Sequence, residues 1–378
     1  MKLFQLQDQF LRLRRRFARK RGQPGDILIL SGGGLGDTIL FAQAIEQFLG
    51  LAKPGERVRL LLNQGSDKLG FLFPSKVVVQ SIDFQRLRRD LFYRRATMAE
   101  LYEANFRLVI HTDHRRHPDM DEALAWACAA PETVAMEPRP WAKYTTQLND
   151  NRQFYTRLFD SGPARKDKVR RWMEFAAWLT RRPPAKKALH LAPDRLPPAT
   201  QEPTPLVVIH PYSAIKEKQP TPDLFAEIIA LVPEDHTIVI TGTAADRAAN
   251  PAYENLLSHS RVQFDDTNFE TLAGRLQSAE LVISVDTACM HLAVTVGAPT
   301  LCLASAAYVG EIVPYAAAMK PPNAHFIYQG MDCEGCLGNC HLPEERGMYP
   351  CIAQLPRNAI LEFVREQFQS PPSLSNNR

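Results

Sequence analysis

Short runs of apolar residues alternate along the chain with longer stretches in which apolar and polar residues recur at helical spacing. This alternation is typical of an α/β fold with parallel sheets, whose strands are buried on both faces. In the first half, strands are predicted at 27–31, 58–62, 76–80 and 107–112, and helices at 38–49 and 87–102. In the second half, strands are predicted at 206–210, 237–241, 281–285, 300–304 and 326–329, and helices at 222–232, 269–278 and 287–296.

Prolines concentrate between the two series, in residues 182–205. Proline fixes the backbone and removes an amide donor, so this stretch suits an extended linker. The 378 residues are enough for about two ordinary domains. The predicted divisions are a basic amphipathic segment (1–24), a first Rossmann-like acceptor domain (25–185), a proline-rich linker (186–205), a second Rossmann-like donor domain (206–330), a cysteine-rich finger (331–355), a C-terminal helix (356–370) and a disordered tail (371–378).

Composition narrows the class of protein. Hydrophobic residues make up 45% of the chain and charged residues 23%, as in globular proteins. The net charge of +4 is too small to indicate a general nucleic-acid partner. No stretch reaches the ~20 apolar residues that span a bilayer, so we expect a cytoplasmic protein whose seven cysteines are reduced.

A glycine-rich turn follows the first predicted strand, in the order Ser31-Gly-Gly-Gly-Leu-Gly36-Asp37. A dinucleotide-binding turn has glycine at its last position, where Asp37 stands here, and a carboxylate would repel the phosphates. A nicotinamide-dependent dehydrogenase is therefore disfavoured. Asp37 is either a working carboxylate at the carboxyl end of a strand, or a cap for the helix predicted to begin near Thr38.

A second strand–turn–helix sequence carries Asp286, Thr287 and His291. A helix that begins here presents unpaired amides, which attract a diphosphate. His291 lies one helical turn after Thr287 and faces the same side, although a hydrogen-bonded packing role is an alternative for it. Upstream, Lys216 and Lys218 occupy a loop after another predicted strand, where they can neutralise phosphate oxygens.

These segments together resemble glycosyltransferase family 9, the heptosyltransferases of the lipopolysaccharide inner core. The resemblance rests on Ser31–Asp37, on the loop from His210 to Pro222, and on the sequence Ser284-Val-Asp-Thr-Ala-Cys-Met-His-Leu-Ala. Ala288 replaces the glycine usual in the last motif, and the proline common after the first motif is absent. The resemblance implies a GT-B fold, with two Rossmann-like domains facing a central cleft. It also implies an inverting transfer of heptose from ADP-heptose to a hydroxyl of lipopolysaccharide core, a related glycan or a protein.

The resemblance also implies roles for individual residues. Asp37 is the expected general base, and no catalytic divalent metal is expected. The expected donor-binding residues are Ser213, Lys216, Lys218, Asp246, Asp286, Thr287, Ala288 and His291. The expected acceptor-binding residues are Gly34, Gly36, Arg115 and Arg116, the two arginines being alternatively a solvated surface pair.

Four cysteines near the C-terminus, Cys333, Cys336, Cys340 and Cys351, have spacing that permits tetrahedral coordination. We expect a structural zinc or iron ion there, since relatives of the family carry similar fingers, and disulfides are the alternative.

Arginines interleave with apolar residues between Phe4 and Phe17, as in a basic amphipathic helix. Such a helix either contacts an anionic membrane peripherally or docks against the protein's own C-terminal segment. The expected partners are thus a nucleotide-sugar donor, a glycolipid or glycan acceptor and an inner-membrane surface, with no nucleic acid. A noncatalytic nucleotide-sugar-binding module of the same fold is the alternative function.

Overall fold

The computed structural model describes residues 3–16, 22–184 and 191–369. The chain divides into two units, Met1–Ala185 and Lys186–Arg378. The predicted C-terminal tail and the basic residues from Arg19 to Arg21 lie outside the described residues.

The first unit contains a six-stranded parallel sheet in the order β3-β2-β1-β4-β5-β6. Its strands are β1 (Gly25–Ser31), β2 (Val58–Asn63), β3 (Val77–Ile82), β4 (Phe106–His111), β5 (Glu132–Met136) and β6 (Arg157–Phe159). Its helices are α1 (Leu3–Arg16), α2 (Leu35–Leu49), α3 (Phe84–Arg89), α4 (Leu91–Glu103), α5 (Asp121–Cys128), α6 (Thr145–Asn151) and α7 (Lys168–Thr180).

The predicted helix at 87–102 is wrong as a single element. Asp83 accepts from the Arg86 amide and begins α3, and Asp90 accepts from the Tyr93 amide and begins α4. A side chain that caps an amide satisfies a donor that the first turn leaves unpaired, so the second aspartate starts a new helix where the sequence pattern runs on.

Helix α7, which no sequence pattern predicted, packs on α2. The Trp172 ring meets Phe41 edge-on at 5.1 Å, and both side chains are buried. The Trp172 indole N–H also donates to the Thr112 carbonyl at 2.9 Å, directly after β4. This helix therefore holds the loop at the carboxyl end of β4.

The second unit repeats the architecture, with a parallel six-stranded sheet in the order β12-β11-β10-β7-β8-β9. Its strands are β7 (Leu206–His210), β8 (Thr237–Thr241), β9 (Val262–Asp265), β10 (Ala279–Val285), β11 (Thr300–Ala304) and β12 (Ala324–Tyr328). Its helices are α8 (Pro222–Leu231), α9 (Ala244–Ala249), α10 (Phe269–Gln277), α11 (Ala288–Thr295), α12 (Pro350–Ala353) and α13 (Arg357–Gln369). None of the helices in the described ranges has the length and apolar character needed to cross a bilayer.

Candidate functional site

In each unit the strand order reverses at one point, between β1 and β4 in the first sheet and between β7 and β10 in the second. Loops that leave the carboxyl ends of such neighbouring strands diverge to opposite faces and open a crevice, where α/β folds bind ligands. The glycine turn follows β1, and the Asp286 turn and the lysine loop follow β10 and β7. Both sets of predicted site residues thus lie at reversal points.

Asp37 is the third residue of α2, which begins at Leu35, before the predicted start at Thr38. Its Oδ2 accepts from the Gly34 amide at 3.2 Å, so the carboxylate caps its own helix. Its Oδ1 lies 2.8 Å from the Lys168 Nζ, and the Asp37 side chain keeps 23% of its surface exposed. The contact with the Gly34 amide therefore agrees with the capping interpretation of Asp37, and its role as a general base stays a prediction.

The Asp37 side chain lies so close to Gly33 that no side chain fits at position 33 without a shift of Asp37. A Cβ on Gly33 would lie 2.6 Å from the Asp37 Oδ2, closer than nonbonded atoms approach. A Cβ on Gly34, by contrast, would meet nothing within 4 Å. Gly34 precedes α2 as its cap residue, and Gly36 is the second residue of that helix.

Two further carboxylates border the turn, and sequence reasoning identified neither. The Gly32 amide donates to the Asp113 Oδ2 at 2.7 Å. Burial raises the Asp113 pKa, opposed by the charge of Lys168 and by the Gly32 amide. Burial, followed by the charge of Asp113, raises the pKa of Asp121 to about 7. The turn is therefore surrounded by carboxylates, with Lys168 as a compensating cation.

The two arginines after β4 have different environments. Arg116 is 1% exposed, pairs with Glu122 at 3.0 Å and donates to the Met136 carbonyl. The expectation of a solvated surface pair is therefore wrong for Arg116, whose guanidinium forms a buried ion pair with Glu122. Arg115 is exposed and lies 4.7 Å above the Trp141 ring.

In the second unit, Lys218 is buried at the strand-order reversal. Its ammonium group pairs with the Asp286 carboxylate and donates to the Asp286 carbonyl at 3.1 Å. The Ser305 hydroxyl donates to the Asp286 Oδ2 at 2.8 Å. Burial raises the pKa of Asp286, and the charge of Lys218 opposes that shift. The Lys218 ammonium group thus lies against Asp286, two residues before the start of α11.

The first turn of α11 has no side-chain cap. Thr287 is its cap residue, but the Thr287 hydroxyl donates to the Val285 carbonyl at 3.4 Å and accepts from no amide of the helix. The dipole and amides of the first turn therefore attract an anion. His291, 5% exposed, contacts the Tyr315 hydroxyl through Nδ1 at 2.6 Å and stacks on that ring. These contacts match the packing interpretation of His291.

The other predicted donor residues occupy the surrounding loops. Lys216 is exposed and donates to the Ala249 carbonyl at 3.0 Å. The Ser213 hydroxyl accepts from the Ile215 amide at 3.2 Å, and half-buried Ala288 is the first residue of α11. The Asp246 carboxylate accepts from the Thr243 amide and hydroxyl at 2.9 and 2.7 Å, so its contacts cap α9.

None of the four cysteines forms a disulfide, and the pKa of Cys333 depends on the other three thiols. The Cys333 and Cys340 sulfurs are 4.0 Å apart. Burial, followed by Cys340, Cys336 and Cys351, raises the Cys333 pKa to about 11. The sulfurs of a tetrahedral zinc site are separated by roughly 3.8 Å, so the donor chemistry and this pair fit a thiolate-bound ion. Across the described residues, however, no three or more His, Cys, Asp or Glu side chains are grouped closely enough to hold a metal ion.

Two doubly wound α/β units with polar loops at their strand-order reversals define the GT-B class of fold. Residues 143–324 match the model of glycosyltransferase family 9 (heptosyltransferase), which confirms the predicted resemblance. Among curated proteins, none matches this chain in sequence.

Solved structures of glycosyltransferases share the fold of this chain. A family 9 glycosyltransferase from Veillonella parvula DSM 2008 is 16% identical, with a TM-score of 0.65 over 91% of this chain and 97% of that one. E. coli heptosyltransferase WaaC with ADP is 18% identical, with a TM-score of 0.65 over 90% and 99%. The iron-containing heptosyltransferase TibC, from enterotoxigenic E. coli H10407, was solved with ADP-D-β-D-heptose; it is 12% identical, with a TM-score of 0.51 over 92% and 78%.

Proposed function

We propose that this chain is an inverting glycosyltransferase that moves heptose from ADP-heptose to a hydroxyl of lipopolysaccharide core or a related glycan. The observation that carries the proposal is the position of Lys218, buried beside Asp286 and before the uncapped start of α11. A buried cation next to a helix N-terminus suits a diphosphate, which both would stabilise as it leaves the sugar. The sugar and nucleotide are proposed from WaaC and TibC, whose structures contain ADP and ADP-heptose.

The proposed chemistry divides between the units. In the first unit, Asp37 takes the proton of the acceptor hydroxyl as that oxygen bonds to the anomeric carbon, a contribution of about 10²- to 10⁴-fold. Lys168 orients the carboxylate through its ion pair. Lys218 and the start of α11, in the second unit, would stabilise the diphosphate as its bond to the anomeric carbon breaks and the electron pair leaves with the nucleotide. Attack from the side opposite the leaving group inverts the configuration.

The remaining donor residues line the same loops in this proposal. Ser213, Lys216, Asp246, Thr287, Ala288 and His291 follow β7, β8 or β10, where the nucleotide would lie. Gly34, Gly36 and exposed Arg115 would contact the acceptor, Arg115 through an anionic group. Arg116 is left out because its guanidinium is buried on Glu122.

We also propose that Cys333, Cys336, Cys340 and Cys351 hold a structural zinc or iron ion. Four thiolates leave no coordination position for a substrate, so the ion would supply a cross-link and take no part in transfer. The proposal rests on the four-thiol donor set and the Cys333–Cys340 distance of 4.0 Å.

A peripheral position on the cytoplasmic face of an inner membrane completes the proposal. One face of α1 docks on the first unit, where buried Asp8 pairs with Arg94, with Nε–Oδ1 at 2.9 Å. Its exposed apolar side chains include Leu6 and Phe10, and the sequence after Leu13 is rich in arginine. An exposed apolar face that is followed in the sequence by arginines fits an anionic lipid surface, which would bring the enzyme to a lipid-linked acceptor.

The test is transfer of sugar from ADP-heptose to a heptose-free core acceptor, with UDP- and GDP-sugars in parallel. Asp37→Asn should lower transfer at least about 100-fold while ADP affinity is kept, because the base is lost and the nucleotide site is intact. Glu103→Gln, which changes an exposed carboxylate at the end of α4, is the matched control. Transfer that survives in Asp37→Asn would exclude Asp37 as base. ADP binding without transfer to core, glycan or protein acceptors would favour the noncatalytic module.

A further inference from the structure

The residues between Cys333 and Cys351, here called the cysteine segment, contact the donor loops directly. The Gly335 amide donates to the Ala306 carbonyl at 2.9 Å, and the Leu337 amide donates to the Ala307 carbonyl at 2.8 Å. The Ala306 amide, in turn, donates to the sulfur of Cys351. Both ends of the cysteine segment therefore hold the turn that follows β11.

That turn supports two sides of the proposed diphosphate site. Ser305, at its start, donates its hydroxyl to the Asp286 Oδ2 at 2.8 Å. Tyr308, at its end, lies with its ring centre 4.8 Å from the Lys218 Nζ. The turn thus orients both partners of the Lys218–Asp286 pair.

A second connection reaches the lysine loop itself. The Tyr349 amide donates to the carbonyl of Glu217, the residue before Lys218, at 2.9 Å. The Tyr349 hydroxyl donates to the Gly338 carbonyl at 3.2 Å, which ties the two halves of the cysteine segment together. The backbone immediately before Lys218 is consequently held by a residue of this segment.

Little regular structure holds the cysteine segment in shape. Gly335, Leu337 and Gly338 have positive φ angles of 78°, 55° and 80°. Its first half, from Cys333 to Cys340, contains no helix or strand, and all of that half lies in the described part of the chain. The Tyr349–Gly338 hydrogen bond joins its two ends, and under the proposed function an ion held by the four thiols would add a second cross-link.

We propose that the cysteine segment positions Lys218 for the nucleotide diphosphate, so that releasing the four sulfurs from their cross-link weakens donor binding without unfolding the unit. This inference rests on the proposed function, because it assigns the segment a role at that same site. Cys333 and Tyr349 act here through other residues and contact no substrate.

The test measures ADP affinity by calorimetry on the full chain, with metal content determined in the same samples. Cys333→Ser should lose bound metal and raise the ADP Kd at least about tenfold, with an unchanged far-ultraviolet circular dichroism spectrum. Cys128→Ser, a thiol of the first unit that donates to the Leu124 carbonyl at 3.3 Å, should bind metal and ADP as the unaltered protein does. Tyr349→Phe removes only the hydroxyl contact and should raise the Kd about two- to fivefold, which provides a variant if Cys333→Ser does not fold.

The double variant Cys333→Ser with Lys218→Met separates the possible outcomes. If the cysteine segment acts through Lys218, the double variant binds ADP no more weakly than Lys218→Met alone. A double variant whose loss equals the product of the two single losses would overturn the positioning role. So would ADP binding unchanged in both Cys333→Ser and Tyr349→Phe while Lys218→Met binds weakly. If Lys218→Met binds ADP normally, the proposed donor site itself is wrong and the inference falls with it.

Discussion

Lys168, the first residue of α7, places its ammonium nitrogen 2.8 Å from the Asp37 Oδ1, across the glycine turn that follows β1. The other carboxylate oxygen accepts from the Gly34 amide. Asp37 is thus held at both oxygens, by a cation and by a helix terminus, and both interactions fix the orientation of its carboxylate. A base acts efficiently only when it is held within reach of the proton that it accepts.

Removing the cation should impair the proposed base without removing it. Lys168→Met is expected to lower kcat/KM roughly 10- to 100-fold, because the carboxylate loses the ion pair that orients it. Lys166→Met is the matched control, since Lys166 pairs with Glu174 and donates to the Ser161 carbonyl at 3.0 Å. An unchanged kcat/KM in Lys168→Met would contradict this role.

The close approach of Asp37 to the turn gives a steric prediction. Gly33→Ala places a methyl group 2.5 Å from the Asp37 Cβ and 2.6 Å from its Oδ2, so the whole Asp37 side chain must shift. We expect transfer activity to fall about 10- to 100-fold with ADP affinity unchanged, because the donor loops belong to the other unit. Gly70→Ala, whose added methyl meets nothing within 4 Å, is the comparison. Full activity in Gly33→Ala would mean that the observed Asp37 geometry does not matter for transfer.

The α/β class and GT-B fold were predictable because buried parallel strands are continuous apolar runs, as in Ile27–Leu30 and Leu206–Ile209. Shorter strands were missed: β6 has three residues, and β9 carries Gln263 and ends at Asp265, so neither forms an apolar run. The resemblance to family 9 was also recognisable, because its motifs are local in sequence.

The environment of the glycine turn was not predictable, because it depends on contacts between distant elements. Lys168 reaches Asp37 only because Trp172 packs α7 against α2, and no pattern predicted α7. Asp113 and Asp121 belong to no sequence motif, and their raised pKa values come from burial next to the turn. Arg116 was misjudged for the same reason, since its partner Glu122 is itself buried.

The raised pKa of Asp121 predicts a pH dependence of stability. Its pKa of about 7 in the folded state lies above the ordinary 3.8, so between these values the folded protein keeps a proton that the unfolded chain has lost. The free energy of unfolding should therefore fall as the pH rises through this window. Asp121→Asn does not titrate and should lack this component, a difference on the order of 2–4 kcal/mol between about pH 4.5 and about pH 8. Urea unfolding at both pH values measures it, and equal pH dependence in the two proteins would contradict the prediction.

The exposed face of α1 predicts binding to anionic lipid. Leu3, Leu6, Phe10 and Leu13 recur at helical spacing and are 70%, 47%, 66% and 56% exposed, while Phe4 on the docked face is 6% exposed. The intact chain should therefore sediment with phosphatidylglycerol vesicles more than with phosphatidylcholine vesicles, and less as salt is added.

Phe10→Glu should reduce vesicle binding about tenfold or more, because it removes apolar area that the lipid would bury and adds a negative charge that anionic lipid repels. Its thermal midpoint should be unchanged, because Phe10 faces solvent. Val78→Glu, a 41% exposed apolar position on β3, is the matched control and should bind vesicles normally. If both variants bind vesicles equally well, α1 is not the lipid-binding surface. If the intact chain binds phosphatidylcholine as strongly as phosphatidylglycerol, the arginines that follow Leu13 in the sequence make no contribution and the electrostatic part of the proposal fails.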